Sequence, residues 1–197
     1  MQRNANQTLV LGSTSPFRKE LLERLRVDFS TDSPDIDETP LIDESPEEYV
    51  TRLSYEKAKV VAQCHRNALI IGSDQCSILD GVIRGKPENH ENAVLQLMQS
   101  SGKRVTFLTG LCLYDSVDNS WQLDLVPFHV DFRILTSDEI ESYLLAEKPY
   151  SCAGSFKSEG LGVTLFERLQ GDDPTALVGL PLIRLCSMLR NKGYSLP

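Results

Sequence analysis

The sequence has no apolar run near the ~20 residues that cross a bilayer, which excludes a membrane-spanning helix of ordinary length. It has no Cys-x-x-Cys pair, and its five cysteines, at 64, 76, 112, 152 and 186, are odd in number and scattered. A disulfide framework and a structural zinc site are therefore not expected, and the thiols read as reduced core residues. Histidine is scarce, and the three present, at 65, 90 and 129, lack metal-ligand spacing. Positive charge is also in deficit. Twenty Lys and Arg face 28 Asp and Glu, a net charge of −8, so a general electrostatic grip on nucleic acid is excluded. Any anionic ligand must be held by a few placed cations, and surplus carboxylate suits a divalent metal as well as a solvated surface. Met1 to Thr8 is polar and carries only Arg3, unlike a secretory signal, so the protein is expected in the cytoplasm.

What is present is a 197-residue chain, 41% hydrophobic, of a length for one domain or two small lobes. No repeat, low-complexity tract or Gly/Ser linker divides it. Thr8–Leu11 reads as a buried strand stopped by Gly12, and Ser15-Pro16 opens a helix carrying Leu21, Leu22 and Leu25. Phe29 to Pro40 is acidic and proline-punctuated, a loop or edge strand. Ser45-Pro46-Glu47-Glu48 is a capping box for a helix to about Cys64. Its apolar stripe is Val50, Leu53, Val61 and Cys64, with Lys57 on the same side. Leu69–Gly72 is a second strand, and Asp80-Gly81 suits the tight turn of a hairpin. Asn89 caps a helix to about Gln99, and Val105–Tyr114 and Trp121–Ile134 read as long strands. Thr136 to Glu139 is another capping box, and a last helix runs from Pro181 to Arg190. Helices alternate with strands and hairpins, which predicts an α/β fold with a mixed, twisted sheet.

Several residues can carry chemistry. Gly12 to Arg18 places small hydroxyl residues between a strand and a helix start, where free N–H groups favour an anion. Ser13 can donate to phosphate there and Arg18 adds a cation, although such turns are also purely structural. It is no Walker loop, since the paired glycines and Lys-Ser/Thr are missing. Asp74 follows Leu69–Gly72 and is expected at the strand's carboxyl end, as a ligand-site carboxylate or a turn former. Lys57, beside apolar residues, must snorkel or meet an anion. Lys86 lies between Gly85 and Pro87, aimed by a rigid setting or decorating a turn. Glu38 is a metal-supporting carboxylate or part of a solvated loop. Gly154 to Gly160 is a loop of the kind that serves a site. Together these point to phosphate plus metal.

These residues also fall in recognisable motifs. Ser13 to Leu22 resembles the opening motif of the Maf family of nucleoside triphosphate pyrophosphatases. The likeness continues through Asp37-Glu38, Ser54 to Ala58, Gly72-Ser73-Asp74, Gly85-Lys86-Pro87, Ser155 to Gly160 and Val178 to Pro181. The resemblance implies one Maf-like domain over 1–197, two lobes around a nucleotide cleft, as in the related ITPase-like folds. It implies cleavage between the α- and β-phosphates, with Ser13, Arg18, Glu38, Lys57, Asp74 and Lys86 as the polar site. Asp74 corresponds to the family's proton acceptor. Glu38 and Asp74 are the implied ligands of a divalent cation, magnesium or manganese. Phe17, Gln75 and Glu159 depart from the commonest family pattern and are similar to the YceF branch, which implies 7-methyl-GTP as substrate. A dTTP/UTP pyrophosphatase and a nucleotide-binding regulator of cell division are the competing readings. The resemblance further implies a possible homodimer, with neither nucleic acid nor membrane as partner.

Overall fold

The computed structural model describes residues 7–196, so the polar stretch before Gln7 lies outside the described residues. The chain is mixed α/β. Its strands are β1 (Thr8–Gly12), β2 (Ser30–Asp32), β3 (Ala68–Leu79), β4 (Val82–Arg84), β5 (Arg104–Asp115), β6 (Trp121–Phe132) and β7 (Phe166–Gln170). Its helices are α1 (Pro16–Glu23), α2 (Pro46–Ala62), α3 (His90–Ser100), α4 (Ser137–Glu147) and α5 (Leu182–Asn191). The strands follow the order β2-β1-β3-β5-β6-β7 in one sheet, with β4 paired to β3. β1 runs parallel to both β2 and β3, whereas β3–β4 and β6–β7 are antiparallel, so the sheet is mixed as expected.

Local signals account for most boundaries. Ser45 and Thr136 make complete capping boxes at α2 and α4, and Asn89 caps α3. Asp80 and Gly81 both adopt positive φ, 52° and 79°, the pair a type I′ turn requires. Two features differ from the sequence reading. β3 runs on through Asp74 to Leu79, so Asp74 lies within a strand rather than at its end. The parallel neighbour β1 stops at the Gly12–Gly72 pair, and this is where the apolar signal of the strand also stops. β7 was not anticipated, because its sequence Phe-Glu-Arg-Leu-Gln is largely exposed and lacks an apolar run.

The chain divides into two compact units, 7–74 with 109–126 and 173–196, and 75–108 with 127–172. In the first unit the period-two alternation of strands builds two clusters. Leu9, Leu11, Leu69, Ile71, Leu111 and Leu113 face one way, with α1 and α5 packed over them through Leu21, Leu22, Leu185 and Leu189. Val10, Ala68, Ile70 and Cys112 face the other way, against Ala58 and Val61 of α2. Glycine lets α2 come close. A Cβ at Gly72 would collide with the Ser54 carbonyl oxygen, and one at Gly110 with that of Val50. The second unit packs Phe107, Phe132, Phe156 and Phe166 as edge-to-face pairs with centroids 4.8–5.7 Å apart.

None of the five cysteines is in a disulfide. Cys76 and Cys112 are buried, and burial pushes the Cys112 thiol up to about 12, which leaves it inert. The expectation of core thiols fails at Cys64, which is exposed. α2 ends at Ala62 and the chain turns there, Cys64 N–H bonding the Val61 carbonyl, so Cys64 leaves the apolar stripe.

Candidate active site

The first unit gathers six of the candidate residues, Ser13, Phe17, Arg18, Glu38, Lys57 and Asp74. Asp74 shares strand parity with Ile70 and Gly72, so its carboxylate falls on the α2 face of β3. Lys57 projects from α2, one turn before Val61, and meets it there. Lys57 Nζ lies 2.6 Å from Asp74 Oδ1 and 2.8 Å from Glu38 Oε1. Lys57 and Asp74 are 5% and 8% exposed, so this lysine does not snorkel. Glu38 comes from the loop between β2 and α2 and keeps a half-exposed carboxylate. The Asp74 N–H donates to Ser54 Oγ at 2.9 Å, and that hydroxyl donates to the Val50 carbonyl at 2.6 Å. The strand is thereby pinned to the helix at Asp74.

The β1–α1 turn brings hydroxyl groups and Arg18 to a helix start, an arrangement that favours an anion. Ser15 caps α1, its Oγ accepting from Arg18 N–H, with Pro16 in the first turn. Ser13, itself buried, accepts from Ser15 N–H at 3.1 Å and from Arg18 Nη1 at 3.4 Å. Arg18 Nε donates to the Gly179 carbonyl at 2.8 Å. Burial lowers the Arg18 pKa, and the charges of Asp74 and Glu38 oppose that shift; guanidinium stays protonated at any ordinary pH. Those two carboxylates are thus within electrostatic range of Arg18. Phe17 is half-buried in the same helical turn and, among the described residues, belongs to neither core cluster.

Gln75, Lys86 and Glu159 belong to the second unit. Gln75 follows Asp74 on β3, so its side chain projects from the opposite face. Lys86 is exposed on the segment after β4. Glu159 is exposed, and its Oε2 accepts from Ser158 Oγ at 3.2 Å. Burial raises the Cys152 thiol pKa, Lys157 and Lys86 pull it down, and Glu159 pushes it up, so all three charges lie within electrostatic range of Cys152. Gln96 of α3 joins the two loops that carry them. Its Nε2 donates to the Gly85 carbonyl at 3.1 Å, and its Oε1 accepts from Ser155 Oγ at 2.6 Å.

Residues 8–192 match the family model described as Maf-like protein. This chain belongs to the Maf family. Three curated relatives bear the name 7-methyl-GTP pyrophosphatase. The one from Colwellia psychrerythraea is 54% identical over 187 residues, 95% of this chain and 94% of the relative. The one from Nitrosococcus oceani is 54% identical over 190 residues, 96% of each chain. The one from Methylobacillus flagellatus is 52% identical over 185 residues, 94% of this chain and 96% of the relative. Among solved structures, this Maf chain has a likeness to the Staphylococcus aureus Ham1 protein, with a TM-score of 0.48 and 13% identity over 79% of this chain and 90% of that one.

In this Maf protein two carboxylates, Glu38 and Asp74, converge on one ammonium. One or two carboxylates completed by phosphate oxygens and water is the ligand set of Mg²⁺ or Mn²⁺, so the residues fit such an ion. Among the described residues no group of three or more His, Cys, Asp or Glu could hold a metal ion. Ser54, Ser73 and Gly179 fall in the family-like motifs but are not among the sequence candidates, and Gln96 and Asp173 carry no sequence signal; Ser54 bonds the Asp74 N–H, and Ser73 Oγ and Arg18 Nε both bond the Gly179 carbonyl. Gly179 lies in a motif that resembled the family, but no local pattern signals that its carbonyl meets Arg18.

Proposed function

We propose that the chain hydrolyses the α–β phosphoanhydride of a nucleoside triphosphate, with 7-methyl-GTP as substrate and 7-methyl-GMP and diphosphate as products. The observation that carries this reading is the buried Lys57 between Asp74 and Glu38, beside Arg18 and a helix start. The names of the relatives supply the substrate. Water adds to the α-phosphorus, the bond from that phosphorus to the α–β bridging oxygen breaks, and diphosphate departs with the electron pair. Asp74 orients the water and takes its proton. Lys57 and Arg18 hold phosphate oxygens, and Ser13 and the N–H groups of α1 donate to them. Lys86 has the same phosphate-binding role by its place in the motif. Glu38 and Asp74 would hold Mg²⁺ or Mn²⁺, which when bound lowers the pKa of water and neutralises phosphate charge. The whole chain acts as a single Maf-like domain in the cytoplasm. Among the described residues no helix is long and apolar enough to cross a membrane.

Base choice rests on Phe17, Gln75 and Glu159. Methylation at N7 makes guanine cationic, so an aromatic face and a carboxylate are its complements. A cation–π contact is worth about 0.5–2 kcal/mol, and two unmet guanine donors cost about 1–3 kcal/mol. Together these amount to roughly a hundredfold preference over UTP or dTTP. Pyrophosphate release from a panel of triphosphates is expected to show it. Phe17→Arg with Glu159→Gln erodes the preference and leaves the chemistry running. Equal kcat/KM for UTP and 7-methyl-GTP in the unmodified enzyme would dispose of this specificity.

Pairing of two copies is part of the same reading. The first unit carries an open groove of about 630 Å³ lined by Leu41, Ile42, Tyr55 and Trp121, with Ile42 94% exposed. The groove is also lined by Asp43, Glu44, Glu48, Thr51 and Arg52, and its mix of exposed apolar and charged groups suits a partner of like kind. Ile42→Glu is expected to turn a dimer into a monomer in sedimentation equilibrium. A monomeric unmodified protein at micromolar concentration would overturn the pairing.

A further inference from the structure

We propose that Asp173 is a positioning residue for Arg18, acting through the carbonyl of Gly179; this rests on the reading of Arg18 as a phosphate ligand. Asp173 is 2% exposed. Its Oδ1 accepts from Thr175 N–H at 3.1 Å and Thr175 Oγ1 at 2.6 Å, and its Oδ2 accepts from the N–H groups of Ile183 at 2.7 Å and Arg184 at 3.4 Å. All four donors are neutral. α5 begins after Pro181, whose side chain cannot cap it, and Asp173 supplies that cap from nine residues upstream of Leu182. Thr175 Oγ1 also accepts the Leu182 N–H at 2.8 Å. The first three N–H groups of α5 are therefore all held by the 173–175 segment.

Between these anchors the chain makes a 3-10 turn, Pro174–Val178, and ends it at Gly179 with φ of 109°. Gly179 N–H bonds the Ala176 carbonyl at 2.9 Å, and Thr109 Oγ1 donates to that same carbonyl at 2.9 Å. The Gly179 carbonyl then faces Arg18 Nε at 2.8 Å and Ser73 Oγ at 3.0 Å. Holding Nε in this way fixes the plane of the guanidinium, whose Nη1 also reaches Ser13 Oγ at 3.4 Å, and leaves its remaining terminal N–H groups to face phosphate. A buried carboxylate is costly to desolvate, and an ordinary helix cap does not need one. It is needed here because four donors approach from two sides. An asparagine would turn its amino group against one of the two pairs.

The experiment is a double-mutant cycle on kcat/KM for the triphosphate hydrolysed best, with Asp173→Asn and Arg18→Lys, each variant assayed well below its own melting temperature. Each single substitution is expected to lower kcat/KM about 10- to 100-fold, the loss of a hydrogen bond to a charged group. The double variant is expected to fall no further than the worse single one. If both singles are impaired and their losses multiply, Asp173 does not act through Arg18 and the proposal fails. If folded Asp173→Asn keeps full kcat/KM, its role is structural only and the proposal fails equally. If Arg18→Lys changes nothing, the reading of Arg18 as a phosphate ligand fails first, and the tether has nothing to position. Should Asp173→Asn not fold, Thr175→Val takes its place in the cycle, with the same outcomes read the same way.

Discussion

Asp74→Asn is expected to remove about 10²–10⁴-fold of kcat, the usual contribution of a general acid–base group. The change is nearly isosteric, and the supports of the position survive it. The Asp74 N–H bond to Ser54 Oγ is made by the backbone, and Lys57 keeps Glu38 as a charged partner at 2.8 Å. The fold is therefore retained, and circular dichroism should match the unmodified protein. What goes is the group that can accept the proton of water and serve as an anionic metal ligand. Steady-state release of diphosphate under saturating metal checks it, and a variant that keeps more than a tenth of the unmodified rate would remove Asp74 from this role.

Chelation is expected to abolish turnover, and added magnesium or manganese to restore it. The reason is a charge count within the first unit. Arg18 and Lys57 bring two positive charges, and Glu38 and Asp74 bring two negative ones that lie against them. The sum is zero, and Lys86, to which the same reading gives a phosphate-binding role, adds only one. A nucleoside triphosphate carries about four negative charges near neutral pH, and one net positive charge cannot offset charge growing on leaving diphosphate. A divalent cation held by Glu38 and Asp74 would supply the deficit and compete with Lys57 for the two carboxylates. Activity should be followed against free metal concentration with and without excess chelator. Full activity in excess chelator would end this account.

Much of the fold was legible because its signals are local. The capping boxes at Ser45 and Thr136, the Asn89 cap and the Asp80-Gly81 turn each act over four or five residues, and the structure keeps all of them. β7 was not legible, since an exposed edge strand with alternating charge has no apolar pattern to read. The burial of Lys57 was a clear question in the sequence, because a lysine on an apolar stripe must find an anion or reach water. Which anion it meets was not, since Glu38 and Asp74 lie 19 residues before it and 17 residues after it.

The sequence by itself determined the order of elements, the capped helix starts, the hydroxyl-rich turn before α1 and the likeness to the Maf family. It could do so because propensity, capping and motif order are properties of neighbouring residues. Only the tertiary structure decided that Asp74 lies inside a continued strand, that Ser54 pins it, and that Gly72 and Gly110 admit α2. It alone brought the Gly179 carbonyl to Arg18, across 161 residues of chain, and placed Asp173 under α5. Such contacts depend on how a helix packs on a sheet and on the strand parity that turns each side chain to one face. Those distances are set by packing over the whole core, and no short stretch of sequence encodes them.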